Sequence, residues 1–231
     1  MLAFDFPIII RDAEIDEFET IGNLDRACFV NSDRYWQLVF SHMDPLTWLK
    51  WLWIDGTRKG VVDGHDRVLV IERTDTKEII GHAWYCVYNQ VNRPSMPASY
   101  PEGLNKLEQT RIAFPRFQWL KQLVKEYRKI MYLSEFATSP AYQGKGLGKT
   151  LMQQVLLLAK EKGLNVFLSA AFRSSGFYAK FGFEEVSGTI MLAEGKIEGL
   201  NMMLLELFPA LIPYTIRSAK LKELATIGRL H

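Results

Sequence analysis

The chain has 231 residues, 48% of them hydrophobic, and a formal net charge of +2. That much apolar residue suffices for one large core, and the Lys and Arg are spread along the chain rather than gathered into the basic stripe that tracks a nucleic-acid backbone, so nucleic acid is not an expected partner. The two cysteines, Cys28 and Cys86, have no C-x-x-C spacing and read as reduced, buried residues, while Met1 to Ile10 carries Asp5 and Pro7 without a basic start, which argues against a leader or membrane span and for a cytoplasmic or nucleocytoplasmic protein.

In chain order, Ile8 to Arg11 reads as a strand, followed by a helix beginning at Asp12 or Asp16 with apolar positions Ile15, Phe18, Ile21, Leu24 and Phe29. Pro45 to Trp53 reads as a second helical region in which Trp48, Trp51 and Leu52 stand at i, i+3 and i+4, a stripe assigned to packing. Val68 to Glu72 and Ile79 to Tyr85, joined by the polar stretch Arg73 to Glu78, predict a hairpin. Asn89 to Phe114 holds Pro94, Pro97 and Pro101 and is too polar to continue a sheet; it reads as a long loop of the kind that closes over a site.

Phe117 to Arg128 has helical spacing, Ile130 to Phe136 is a strand, and a helix starts near Gly148 with Leu151, Val155 and Leu158 on one face. Asn165 to Ser169 is a strand, Ser175 to Lys180 a short helix, and Phe183 to Ile190 with Met202 to Leu207 the closing strands. A basic, helix-compatible extension over 209–231 follows a single domain over 1–208, whose insertion spans 89–129 as loop plus helix; the extension suits a surface helix or a homodimer seam.

The turn between the Ile130 to Phe136 strand and the next helix is Gln143-Gly144-Lys145-Gly146-Leu147-Gly148. At a helix start the first backbone N–H groups lack intrahelical partners and the dipole adds positive charge, while glycines let a pyrophosphate come close, so this turn predicts a phosphate cradle. Its alternating glycines match neither G-x-G-x-x-G nor the P-loop.

Ser139 to Gly148 instead resembles the Q/R-x-x-G-x-G/A signature of the GNAT superfamily of acyl-CoA-dependent N-acyltransferases, and Phe177-Tyr178-Ala179-Lys180-Phe181-Gly182-Phe183 resembles that family's L-Y-x-K-x-G-F segment. The resemblance implies an α/β fold with a mixed, mostly antiparallel sheet of six to seven strands, splayed at its centre and flanked by helices. It implies acetyl-CoA as co-substrate, no metal, and direct transfer to an amine, most simply that of a small molecule. By position, the backbone of Phe136, Ala137 and Thr138 would pair with the pantetheine arm. The N–H groups of Gln143, Gly144, Lys145, Gly146, Leu147, Gly148 and Lys149 would meet the pyrophosphate, and Ser174 would add a polar contact.

Tyr178 matches the family tyrosine near the cofactor sulfur and is the candidate general acid, a phenol of ordinary pKa near ~10 being protonated at neutral pH. The base is open. Alternation sets Tyr132, Ser134 and Phe136 on one face of the strand and Glu135 on the other, away from the cleft unless a bulge intervenes. Glu135, a water chain through Ser134, and His82 in the neighbouring strand are the candidates, and a lone His in an apolar strand is more often a core residue. Ala171 to Ser174 departs from the family loop. The alternatives are a non-catalytic acyl-CoA sensor, a peptide acceptor, or other chemistry on the same scaffold.

Overall fold

The computed structural model describes residues 4–29, 47, 50–92, 94, 101–103, 106–191 and 199–208. Trp48, residues 93, 95–100, 104 and 105 of the expected proline-rich loop, and the 209–231 extension lie outside the described residues, and 106–114 of that loop are helical. Seven strands form one mixed sheet, β1 Ile8–Asp12, β2 Asp66–Arg73, β3 Ile79–Asn89, β4 Lys129–Thr138, β5 Val166–Ala171, β6 Glu184–Met191 and β7 Gly199–Leu205, in the order β1-β2-β3-β4-β5-β7-β6. The fold class expected from sequence is the one found. No helix among the described residues is long and apolar enough to cross a membrane.

The chain divides into two compact units, and β3 and β4 each run from one into the other. The first comprises Met1–Cys86, Pro101–Leu104 and Leu133–Leu158. In it β1, β2 and β3 are antiparallel neighbours, with Ile8 opposite Arg73 and Val70 opposite His82, the hairpin that the polar Arg73 to Glu78 turn predicts. Helix α1, Phe18–Phe29, follows a 3-10 turn at Ile15–Glu17 and buries Phe18, Ile21, Gly22 and Asp25, a one-sided stripe at helical spacing that contains a carboxylate.

The second helical region contains a π-helix, Lys50–Thr57, which runs into helix α2, Arg58–Val62. Thr57 Oγ1 donates to the Leu52 carbonyl at 2.8 Å, and a Cβ at Gly56 would stand 2.9 Å from the Trp51 carbonyl oxygen, so this wide turn needs glycine there. Trp53 is the packing tryptophan of the segment, fully buried against Phe18 and Trp84.

The second unit comprises Val87–Tyr100, Asn105–Tyr132 and Ala159–His231. Helix α3 there spans Lys106–Tyr127, starting well before the expected Phe117 and carrying Pro115 inside it. The apolar face formed by Phe117, Leu120, Leu123 and Val124 packs on Ile130, Tyr132, Phe167, Met202 and Leu204, and burial of that face outweighs the one backbone bond that Pro115 cannot make. Strands β5 and β7 pair antiparallel from Val166 opposite Leu205 to Ala171 opposite Leu200, and β6 adds to β7. Helix α4, Leu147–Glu161, links β4 to β5, burying Leu151, Met152, Val155 and Ala159; helix α5, Phe172–Ala179, packs on β5 and β7.

Candidate active site

The glycine turn lies in the first unit between the end of β4 and the start of α4. Gly144 has φ +77° and Gly146 φ +90°, a region that L side chains rarely adopt, which explains glycine at both positions. The first helical bond runs from the Thr150 N–H to the Gly146 carbonyl at 3.1 Å, leaving the amides of Leu147, Gly148 and Lys149 without backbone partners among the described residues. Leu147 is buried and pins the helix start, while Gly144, Lys145 and Lys149 are exposed. A Cβ on Gly144 would meet nothing within 4 Å, so the space in front of the turn is open.

Gln143, the first residue of the motif, locks the turn to the strand by donating Nε2 to the Thr138 carbonyl at 3.1 Å. Cys28 Sγ, from α1, donates to the same oxygen at 3.4 Å. That carbonyl, one of the three backbone positions expected to face a pantetheine arm, thus accepts two bonds. Tyr142 is held from both sides, accepting from Arg73 at 2.9 Å and donating to Glu78 at 2.6 Å. Phe6 meets its ring edge-on at 5.4 Å, and Lys145 lies 5.6 Å from the Phe6 ring and 5.8 Å from the Tyr142 ring. Cation–π attraction therefore keeps the Lys145 ammonium at the turn, a role that the motif alone does not announce.

Ser134, Glu135 and Phe136 are half-buried on β4. The Ser139 N–H donates to the Ile80 carbonyl at 2.9 Å, and a Cβ at Gly81 would meet the Thr138 methyl at 3.3 Å. At this end of the strand Thr138 therefore lies beside Gly81, and Ala137 beside His82.

The remaining candidates belong to the second unit. Tyr178, 9% exposed, sits in α5 between Phe177 and Phe183, with ring centroids 5.2 Å and 5.8 Å away. The turn after it is closed by the Phe181 N–H on the Tyr178 carbonyl at 2.9 Å and by Gly182 at φ +90°. Ser174 is half-buried within α5 rather than in a loop; its neighbour Ser175 accepts from Asn201 Nδ2 at 3.0 Å. Among the described residues no group of three or more His, Cys, Asp or Glu is placed to hold a metal ion.

The turn thus combines positive-φ glycines with a helix start whose first amides have no backbone partner among the described residues. The model of the acetyltransferase (GNAT) family matches residues 19–183, and the chain belongs to that family. Among solved structures, it is similar to a mosquito arylalkylamine N-acetyltransferase-like protein 5b, with 16% identity and TM-score 0.61 over 86% of this chain and 99% of that one. It is also similar to a putative arylalkylamine N-acetyltransferase 7 from the yellow fever mosquito, with 15% identity and TM-score 0.67 over 86% of each chain. The PaiA N-acetyltransferase of Thermoplasma acidophilum in complex with coenzyme A shares 15% identity at TM-score 0.50, over 87% of this chain and 100% of that one. No curated protein is similar enough in sequence to match.

Proposed function

We propose that this chain is an N-acetyltransferase that takes acetyl-CoA as donor and a small amine as acceptor, by direct transfer in a ternary complex. The observation that carries the reading is the row of bare amides on a positive-φ glycine turn directly after β4. Membership of an acetyltransferase family and the likeness to arylalkylamine N-acetyltransferases support it. Acetyl-CoA supplies the activated acyl group as a thioester. The amides from Gly144 to Lys149 bind its pyrophosphate, Lys145 and Lys149 add positive charge, Phe136 and Ala137 hold the arm by backbone pairing, and Ser174 adds a polar contact. Tyr178 gives its hydroxyl proton to the departing sulfur.

Thermal unfolding with CoA, acetyl-CoA and longer acyl-CoAs tests this reading. A ligand at about a hundred times its Kd adds ~2.7 kcal/mol, which for a chain of this size is a Tm rise of about 5–10 °C. Gly146→Asp, which sets a side chain and a negative charge into the turn, abolishes the rise. No rise with any of the thioesters would count against the reading.

A further inference from the structure

We propose that His82, backed by Asp25, is the base of the transfer reaction and takes the proton of the attacking amine on Nδ1. The inference rests on the N-acetyltransferase reading. Both side chains are 0% exposed, with His82 Nε2 3.1 Å from Asp25 Oδ1. The two atoms are within hydrogen-bonding distance but not in hydrogen-bond alignment. Asp25 Oδ2 accepts from Trp53 Nε1 at 3.2 Å. A neutral imidazole that gives its single proton to the Asp25 side leaves Nδ1 as the basic atom, and Nδ1 has no partner among the described residues. Leaving a buried polar atom unpaired opposes folding, which makes Nδ1 an atom whose retention calls for a reason.

Two further observations point the same way. Trp53, whose ring stands edge-on to the imidazole at 5.2 Å and 89°, is carried by the π-helix Lys50–Thr57, a backbone form that is rare and concentrates at functional sites. His82 also stands opposite Ala137, on the strand end expected to hold the cofactor arm, about 5 Å away across the ladder. The groups shown against it are Asp25 from α1, Trp53 from the π-helix and Val70 from β2, with Cys28 one turn on from Asp25 and bonded to the Thr138 carbonyl. Burial pushes the Cys28 thiol up to about 12, so it stays protonated at neutral pH.

In the step itself the amine lone pair forms the C–N bond at the thioester carbonyl and the C–S bond breaks. The amine proton passes to His82 Nδ1, whose imidazolium Asp25 stabilises, and the sulfur takes the Tyr178 proton. His82 then sheds a proton to water and Tyr178 regains one.

The experiment uses the full chain, acetyl-CoA and phenylethylamine as probe, with thiol release followed from pH 5 to 9. His82→Gln is expected to lower kcat/KM by about 10²–10³-fold and to remove the acidic limb of the profile, while acetyl-CoA binding stays within about twofold of wild type. Asp25→Asn shifts the limb without abolishing it. A structural role would lower Tm in His82→Gln and leave the limb in place, which overturns the proposal. Independently of the acceptor, long-range ¹H–¹⁵N spectra of the wild type, assigned by the signal lost in His82→Gln, should show a bare Nδ1 and a protonated Nε2; a protonated Nδ1 in the neutral ring overturns it. A wild type that binds no acetyl-CoA sinks the N-acetyltransferase reading instead, whereas wild-type turnover with an unchanged His82→Gln profile sinks the dyad alone.

Discussion

Asn165, 2% exposed, shows how one side chain can fasten a segment. Its Oδ1 accepts from the Leu207 and Phe208 amides at 2.7 and 2.8 Å, and its Nδ2 donates to the Phe208 carbonyl at 3.0 Å. Asn165→Leu keeps the volume and orphans all three groups, so a loss of about 2 kcal/mol is expected, which calorimetry reads as a Tm drop of about 4–8 °C. Asp66 acts in the opposite sense. Burial raises its carboxyl pKa, so the folded state holds that proton more tightly than the unfolded one and ionisation opposes folding above the folded pKa. Asp66→Asn should therefore stabilise the protein at neutral pH, with a gain that fades below the ordinary value of about 4; paired denaturant titrations at pH 7 and pH 3.5 would show it. At this scale the sequence hid the most consequential residue. Asp25 is not among the residues that the sequence singles out, and its place on the Phe18, Ile21, Gly22 stripe is what marks it as inward-facing.

The elements around the proposed site are stiffened at single glycines. At the end of α5, Gly182 has φ +90° and a Cβ there would stand 3.3 Å from Leu205 Cδ1, whereas a Cβ at Gly176, inside α5, would meet nothing within 4 Å. Gly182→Ala should cost about 1–2 kcal/mol, combining a disfavoured backbone region with a tight contact. Gly176→Ala should stabilise by about 0.5–1 kcal/mol, from helix propensity alone. Opposite Tm shifts from the two Gly→Ala changes, one inside α5 and one in the turn after it, would check the reading; equal shifts would contradict it. The strand, turn and helix of the cofactor motif were legible because their signals are local: periodicity, glycine spacing and a helix start within twenty residues. The start of α3 was not, because a proline inside a helix is tolerated only when its packed face compensates, and that face is set by Phe167, Met202 and Leu204 from distant strands.

For the whole molecule, acid response follows from how β1, β2 and the first 3-10 turn are tied. Arg11 pairs with Glu17 at 2.5 Å and Glu72 at 2.6 Å, and its hydrogen bonds hold both carboxyls below the usual range. A carboxylate with a lowered folded pKa contributes stability that is complete above its unfolded value, near pH 4.5, and is lost as pH falls through the folded value. Wild-type Tm should hold from pH 7 to about 5 and then fall. Arg11→Gln should start lower and lose less between pH 5 and 3; parallel curves would show that these pairs do not carry the acid response.

What the sequence by itself determined is what is encoded within short windows: the strands and most helices, the glycine turn and the family resemblance that its spacing carries. Tertiary structure alone decided that Asp25, Trp53 and His82, from a helix, a π-turn and a strand far apart in the chain, meet in one buried cluster. The reason is physical: helix spacing and turn chemistry are set by neighbours a few residues away, whereas a buried carboxylate is tolerated only where distant donors arrive to meet it, and no window of sequence contains them.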